Sequence, residues 1–140
     1  MNKVRLISLP KIEDPRGNLS IIEKNNIPFK VNRVYFLYDV PSGAERGGHA
    51  HKKQQEFIIA VSGSFEVILN DGLNENDGLN EEVFSLNNPS VGLYVGTDTW
   101  RELRNFSSGS VCLVVSCSEF DEDDYIRDFD VFKNYLANKI

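Results

Sequence analysis

Arg46-Gly47-Gly48-His49-Ala50-His51-Lys52-Lys53, followed by the apolar run Phe57-Ile58-Ile59-Ala60-Val61 and a break at Ser62-Gly63, is the stretch from which the fold is read. His49 and His51 are the only histidines of the chain. Alternate side chains of a β-strand share a face, so both imidazoles are predicted to point into one space. The apolar run behind them reads as a buried strand that ends in a turn and holds the pair in place. A lone histidine is most often a satisfied core group. Two on one strand face, beside Arg46 and two lysines, point to a functional cleft.

Working outward, short runs rich in Val, Ile, Phe and Tyr recur between Gly, Pro and Asn breaks: Val4 to Leu9, Leu19 to Glu23, Arg33 to Tyr38, Gln55 to Val61, Phe65 to Leu69, Glu82 to Leu86, Val91 to Val95 and Val111 to Cys117. This pattern predicts an all-β sandwich or barrel, an antiparallel jelly roll with strands over about residues 3–117. The tail differs. Tyr125, Phe129, Phe132 and Leu136 fall at i, i+4, i+7 and i+11, the stripe of an amphipathic helix, expected over about 122–138. The acids Asp121 to Asp124 are read as the start of that helix rather than as a metal site.

One segment is doubled: Asn70-Asp71-Gly72-Leu73-Asn74-Glu75 is followed at once by Asn76-Asp77-Gly78-Leu79-Asn80-Glu81. Asn-Asp-Gly between strand patterns is a hairpin signal, so the duplication is read as a lengthened loop. Its Asp and Asn lack the spacing of a calcium loop.

With 140 residues the chain fits one domain, 1–140, large enough for a sizeable core. Hydrophobic residues at 41% and charged residues at 26% are those of an ordinary folded protein. A net charge of −6 argues against binding to nucleic acid or to an anionic membrane surface. Cys112 and Cys117 are five apart and match neither a zinc knuckle nor a redox pair. Unpaired thiols, no long apolar stretch and no signal-peptide pattern in Met1 to Arg5 predict a cytoplasmic protein.

Read as spacing, Gly43, His49-Ala50-His51, Glu56 and Gly63 match the first motif of the cupin superfamily, G(X)5HXH(X)3,4E(X)6G, at every fixed position. The segment Gly96 to Asn105 resembles the second motif, with Arg101 where many cupins have a metal-binding histidine. A guanidinium stays protonated and has no lone pair to offer a metal. A metal held by His49, His51 and Glu56 alone is the second reading, disfavoured by the positive charge of Arg46, Lys53 and Arg101 beside the cation.

More of the chain resembles a narrower group, the nucleotide-sugar 3,4-ketoisomerases, which are related to the 3,5-epimerase of the rhamnose pathway. The resemblance runs through Asp14-Pro15-Arg16-Gly17-Asn18-Leu19, Asn26 to Phe29, Arg33 to Phe36, Arg46 to Lys53, Val91 to Gly96, Trp100-Arg101-Glu102 and Asp124 to Arg127. It implies a cupin jelly roll with a C-terminal helix and no metal or other cofactor. It implies dTDP-4-keto-6-deoxy-D-glucose as substrate, isomerised to a 3-keto sugar that serves 3-amino-sugar and surface-polysaccharide synthesis. It also implies a homodimer, often with an exchanged N-terminal strand.

The residues agree with that chemistry. A ketone at C4 acidifies the hydrogen on C3, so a base can form an enediolate that is reprotonated at C4. His49 and His51 are the expected proton carriers, His51 the more sensitive because it lies deeper along the strand. Arg33 and Tyr35 share a strand face, where Tyr35 is expected to be catalytic and Arg33 to stabilise charge. Arg16 and Arg46 suit a diphosphate, and Lys53, Tyr94, Trp100 and Arg101 complete the expected substrate contacts. The rival readings are a metal-dependent cupin enzyme, a non-catalytic sugar-binding cupin and a 3,5-epimerase.

Overall fold

The central strand of the chain is apolar on consecutive residues because it is buried on both faces. Glu56–Ser62 (β6) sends Ile58 and Ala60 to one side and Phe57 and Ile59 to the other, all five residues of Phe57–Ala60 and Glu56 being buried. A computed structural model describes residues 3–75 and 78–139. Its remaining strands are β1 (Val4–Ser8), β2 (Lys11–Ile12), β3 (Leu19–Ser20), β4 (Arg33–Leu37), β5 (Arg46–His51), β7 (Phe65–Glu75), β8 (Gly78–Leu86), β9 (Val91–Val95), β10 (Trp100–Arg104), β11 (Val111–Ser116) and β12 (Tyr125–Ile126), followed by one α-helix, α1 (Phe129–Ala137).

Two five-stranded antiparallel sheets, β1-β9-β6-β11-β4 and β12-β5-β10-β7-β8, carry the fold, with β2 and β3 as a separate hairpin. The sheets face each other as the jelly-roll sandwich expected from the sequence, and they do not close into a barrel. Ile58, Val67, Leu69, Leu93, Val95, Leu103 and Val114 fill the space between them. The outer face of the first sheet is covered by the N-terminal third through Leu9 and Ile27 packed on Phe57, Ile59 and Val115. The outer face of the second is covered by α1, where Phe132 packs with Ala50, Trp100 and Ile126.

Two local readings are corrected. The tail is not one helix over 122–138: Glu122–Asp124 is a 3₁₀ turn, Tyr125–Ile126 pairs with β5, and α1 starts only after Asp128, whose carboxylate accepts from the Val131 backbone N–H at 3.0 Å. The doubled segment does not form a loop in its first copy. Asn70 to Glu75 continue β7, with a register shift between Asn70 and Asn74, and lengthen the β7–β8 hairpin. Gly72 sits in that irregularity at φ +75°, where a side chain would run into Leu136 and Phe132 of α1. Asn76 and Asp77 of the second copy lie outside the described residues.

Candidate active site

The two glycines ahead of the histidines aim them. Arg101 of β10 pairs with His49 and Glu102 with Gly47, so Gly48 is the extra residue of a β-bulge. Gly47 and Gly48 take φ of +84° and +72°, conformations that favour glycine, and a Cβ on Gly47 would press on Leu103 and on the Arg101 carbonyl. Beyond the bulge the alternation of β5 resumes, and His49 and His51 both face the interior between the sheets. Their rings meet edge to face with centroids 4.8 Å apart.

The two imidazoles differ in place. His49 lines a cavity of about 210 Å³ together with Arg33, Tyr35, Arg46, Glu56, Arg101, Tyr125 and Arg127. His51 stands behind it, fully buried, and is not part of that wall. His51 Nδ1 is 3.1 Å from Oδ2 of Asp124. That carboxylate also accepts the backbone N–H groups of Lys53 at 2.7 Å and Gln54 at 3.1 Å. A carboxylate so placed takes a proton-bearing Nδ1, which leaves a lone pair on Nε2. Tyr125 packs over both rings at 5.0 and 4.3 Å.

Glu56 is the hub on the facing sheet. Its Oε1 receives Arg101 Nη1 at 2.5 Å, and its Oε2 receives the Tyr35 hydroxyl at 2.9 Å and Gln54 Nε2 at 2.8 Å. His51 Nε2 lies 3.7 Å from the same Oε2. Burial alone would push the Glu56 carboxyl up, but the Arg101 guanidinium, with the two imidazoles and the Tyr35 hydroxyl, holds it below the usual range. Burial, with Glu56 beside it, pushes the Tyr35 phenol up, so it stays a protonated donor. Burial first and the Arg101 charge second depress both histidines, His49 to about 4 and His51 to about 3, so both are neutral at physiological pH.

Among the described residues, the buried side-chain atoms without a hydrogen-bond partner are His49 Nε2, His51 Nε2, Arg33 Nη1, Arg101 Nε and Ser110 Oγ. Four of the five therefore belong to this cluster. Two are ring nitrogens and two are guanidinium N–H donors, so the cluster sets proton acceptors beside charged donors. Arg33 is held over the Tyr35 ring at 4.5 Å, and its Nη2 reaches the Tyr125 hydroxyl at 3.4 Å.

The cupin motif raises the question of a metal. The residues do not fit one: both Glu56 oxygens are engaged, and the guanidinium of Arg101 lies against the carboxylate that would bind the ion.

Of the ten residues expected at the site, His49, Tyr35, Arg33, Arg46 and Arg101 line the cavity, with His51 directly behind. The other four lie elsewhere. Trp100 alternates with Arg101 along β10, so it points outward and packs between Phe129 and Phe132 of α1. Tyr94 faces outward with Phe57 and donates to Gln55 Oε1 at 2.5 Å. Lys53 contributes its backbone N–H to Asp124 while its side chain is exposed. Arg16 is 90% exposed at the β2–β3 turn, paired with Asp14 at 2.9 Å. Sequence reading missed Asp124, Tyr125, Gln54 and Arg127. The short β12 strand that carries Tyr125 is paired with β5, and no periodicity reveals a two-residue strand.

Residues 2–137 match the FdtA family, described as WxcM-like, C-terminal. The TDP-4-oxo-6-deoxy-alpha-D-glucose-3,4-oxoisomerase of Aneurinibacillus thermoaerophilus is 44% identical over 134 residues, 95% of this chain and 92% of that protein. The 3,4-ketoisomerase QdtA of Thermoanaerobacterium thermosaccharolyticum, solved as a His-to-Asn mutant in complex with TDP-4-keto-6-deoxyglucose, is 37% identical with a TM-score of 0.90, covering 100% of this chain and 98% of that one. The TDP-quinovose 3,4-ketoisomerase WlaRB of Campylobacter jejuni is 38% identical with a TM-score of 0.87, covering 96% and 99%.

Proposed function

The chain belongs to the FdtA family and is a 3,4-ketoisomerase of TDP-linked sugars, and from that premise we propose how its own residues carry the reaction. The substrate is dTDP-4-keto-6-deoxy-D-glucose. A cavity of about 210 Å³ suits a hexose ring and leaves the nucleotide toward the rim, where Arg46 stands exposed for the diphosphate.

His49 Nε2 takes the proton from C3, and the C3–H electrons form the C3–C4 double bond as the C4 carbonyl becomes an enediolate oxygen. Arg33 Nη1 and Arg101 Nε, both buried donors without partners, stabilise that charge. The imidazolium exchanges that proton with water in the cavity and then protonates C4. The hydroxyl proton of O3 is delivered to O4, with the Tyr35–Glu56 hydrogen bond serving the transfer. C3 is then the ketone and C4 the alcohol, with no net change in protons or electrons. His51, fixed by Asp124, sets the position of the His49 ring and the polarity behind it.

The observation that carries this reading is the neutral, buried and partnerless Nε2 of His49, a residue that lines the cavity. Incubation with the substrate tests it. NMR should show a 3-keto sugar, and an unchanged substrate would refute it.

The assembly we infer is a homodimer. Leu6, Ile12 and Leu19 on the N-terminal strands, Val34 and Phe36 on β4 and Tyr38 just after it are exposed, an apolar area that a second copy would bury. β1 pairs with β9 of its own chain, and exchange would make the same pairing across the two-fold axis. No described helix is long and apolar enough to cross a membrane. The free thiols Cys112 and Cys117 support a cytoplasmic setting. A 3-keto product is suited to transamination into a 3-amino sugar of a surface polysaccharide.

A further inference from the structure

His49, His51 and Glu56 each offer one ligand atom, and those atoms lie within 4.8 Å of one another. Two imidazoles and one carboxylate at that spacing are a donor set for a divalent transition metal. The fold does not consume the nitrogens, since both Nε2 atoms are buried without a partner. Arg101 occupies the remaining side. Its Nη1 lies 2.5 Å from Glu56 Oε1 and its Nη2 donates to the Thr99 carbonyl at 2.9 Å, so both ends of the guanidinium are pinned. Arg101 is 1% exposed, and β10 places it directly opposite His49.

We propose that the Arg101 guanidinium is a tethered occupant of a divalent-cation position and keeps the His49–His51–Glu56 set free of metal. It supplies the positive charge that the buried carboxylate needs, yet it cannot be coordinated or exchanged. A metal would have to displace it from Glu56 or sit beside it, where like-charge repulsion in a buried space is strong. The consequence rests on the ketoisomerase reading: the imidazole lone pairs stay available for protons, and Arg101, whose Nε faces the developing charge, also fixes Glu56.

Cobalt(II) is the probe, because its visible absorption reports imidazole ligation without turnover. The full chain is titrated as wild type, Arg101→His, Arg101→Gln and Arg101→Lys, with thermal melts in the presence and absence of cobalt. Arg101→His should take up one equivalent at least about tenfold more tightly than wild type and lose it when His49→Asn is added. Arg101→Gln should bind more weakly than Arg101→His but above wild type, and Arg101→Lys, which restores the charge, should again exclude the ion. Cobalt should raise the melting temperature of Arg101→His and Arg101→Gln and leave that of wild type unmoved. A variant that folds only with cobalt would give the same result through its stability. The proposal is overturned if wild type binds an equivalent that His49→Asn abolishes, if Arg101→Lys binds like Arg101→His, or if cobalt neither binds nor stabilises Arg101→His. Sugar turnover by the wild type is assayed separately, so a failure of the ketoisomerase reading is seen apart from these outcomes.

Discussion

His51 Nδ1 stands 3.1 Å from Asp124 Oδ2 across 73 residues of sequence, and this contact decides which nitrogen of that ring is left without a proton. The same carboxylate holds the Lys53 and Gln54 backbone N–H groups, so β5, its exit turn and the C-terminal segment are locked at one point. Asp124→Asn should therefore lower kcat roughly 10–100-fold, as loss of an orienting carboxylate does, with KM changing little. Steady-state kinetics beside a thermal melt check this; a stability loss with full kcat per folded molecule would make Asp124 a purely structural group.

The acid limb of activity should lie low. His49 must be neutral to accept a proton, and its burial and the nearby Arg101 hold it at about 4 rather than near 6.5. The pH profile of kcat/KM should stay flat from neutral pH to about pH 5 and fall near 4. An acid limb near 6.5 would contradict the buried, depressed histidine.

The same shifts set acid stability. Both histidines have folded values below their unfolded ones, so between those values the unfolded chain binds more protons and stability falls with falling pH. Their contribution is complete above about pH 6.5 and is lost as pH drops from there toward 3. Replacing His49 by Asn should flatten that part of the melting-temperature profile, which calorimetry between pH 4 and 7 would measure.

Tyr35→Phe removes one of the donors to Glu56 Oε2 while Gln54 still supplies another. The fold should persist, and kcat should drop about 10²-fold, the scale of losing one hydrogen-bond donor to a developing oxyanion or its relay. Nucleotide affinity, read by titration with TDP, should be unaffected.

Trp100→Ala should act on stability instead. The indole is 7% exposed against Phe129 and Phe132. Removing it should cost about 3–5 kcal/mol and loosen α1, with affinity for TDP unchanged in the folded fraction. A weakened TDP titration with an intact melt would restore Trp100 to the binding surface.

The central strand and the paired histidines were legible because period-two alternation and a double-sided apolar run are strong local signals. The Gly47-Gly48 bulge fits the same reading, since it re-aims the strand without breaking it. Trp100 neighbours Arg101 in sequence, but on a strand neighbours face opposite ways, so it packs on α1 while Arg101 faces the cavity. Tyr125 falls on the spacing of the helical stripe while belonging to β12, so periodicity alone starts the helix too early and hides the groups around that strand. Asp124 carries the acidic signature of a helix start and does sit in a capped 3₁₀ turn, but its carboxylate works on a strand far away in sequence. The ranking of the histidines also turns on depth. His51 lies deeper, as expected, and for that reason it is His49 that meets the cavity.

Proton transfer by His49 is the central claim, and it is tested most directly by following dTDP-4-keto-6-deoxyglucose by ¹H NMR in deuterated water with wild-type protein and with His49→Asn. Wild type should convert the substrate to the 3-keto isomer with solvent deuterium appearing at C4. His49→Asn should stay folded, bind TDP and leave the C3 hydrogen in place, with turnover reduced by at least about 10²-fold. Conversion by His49→Asn at the wild-type rate would contradict the account.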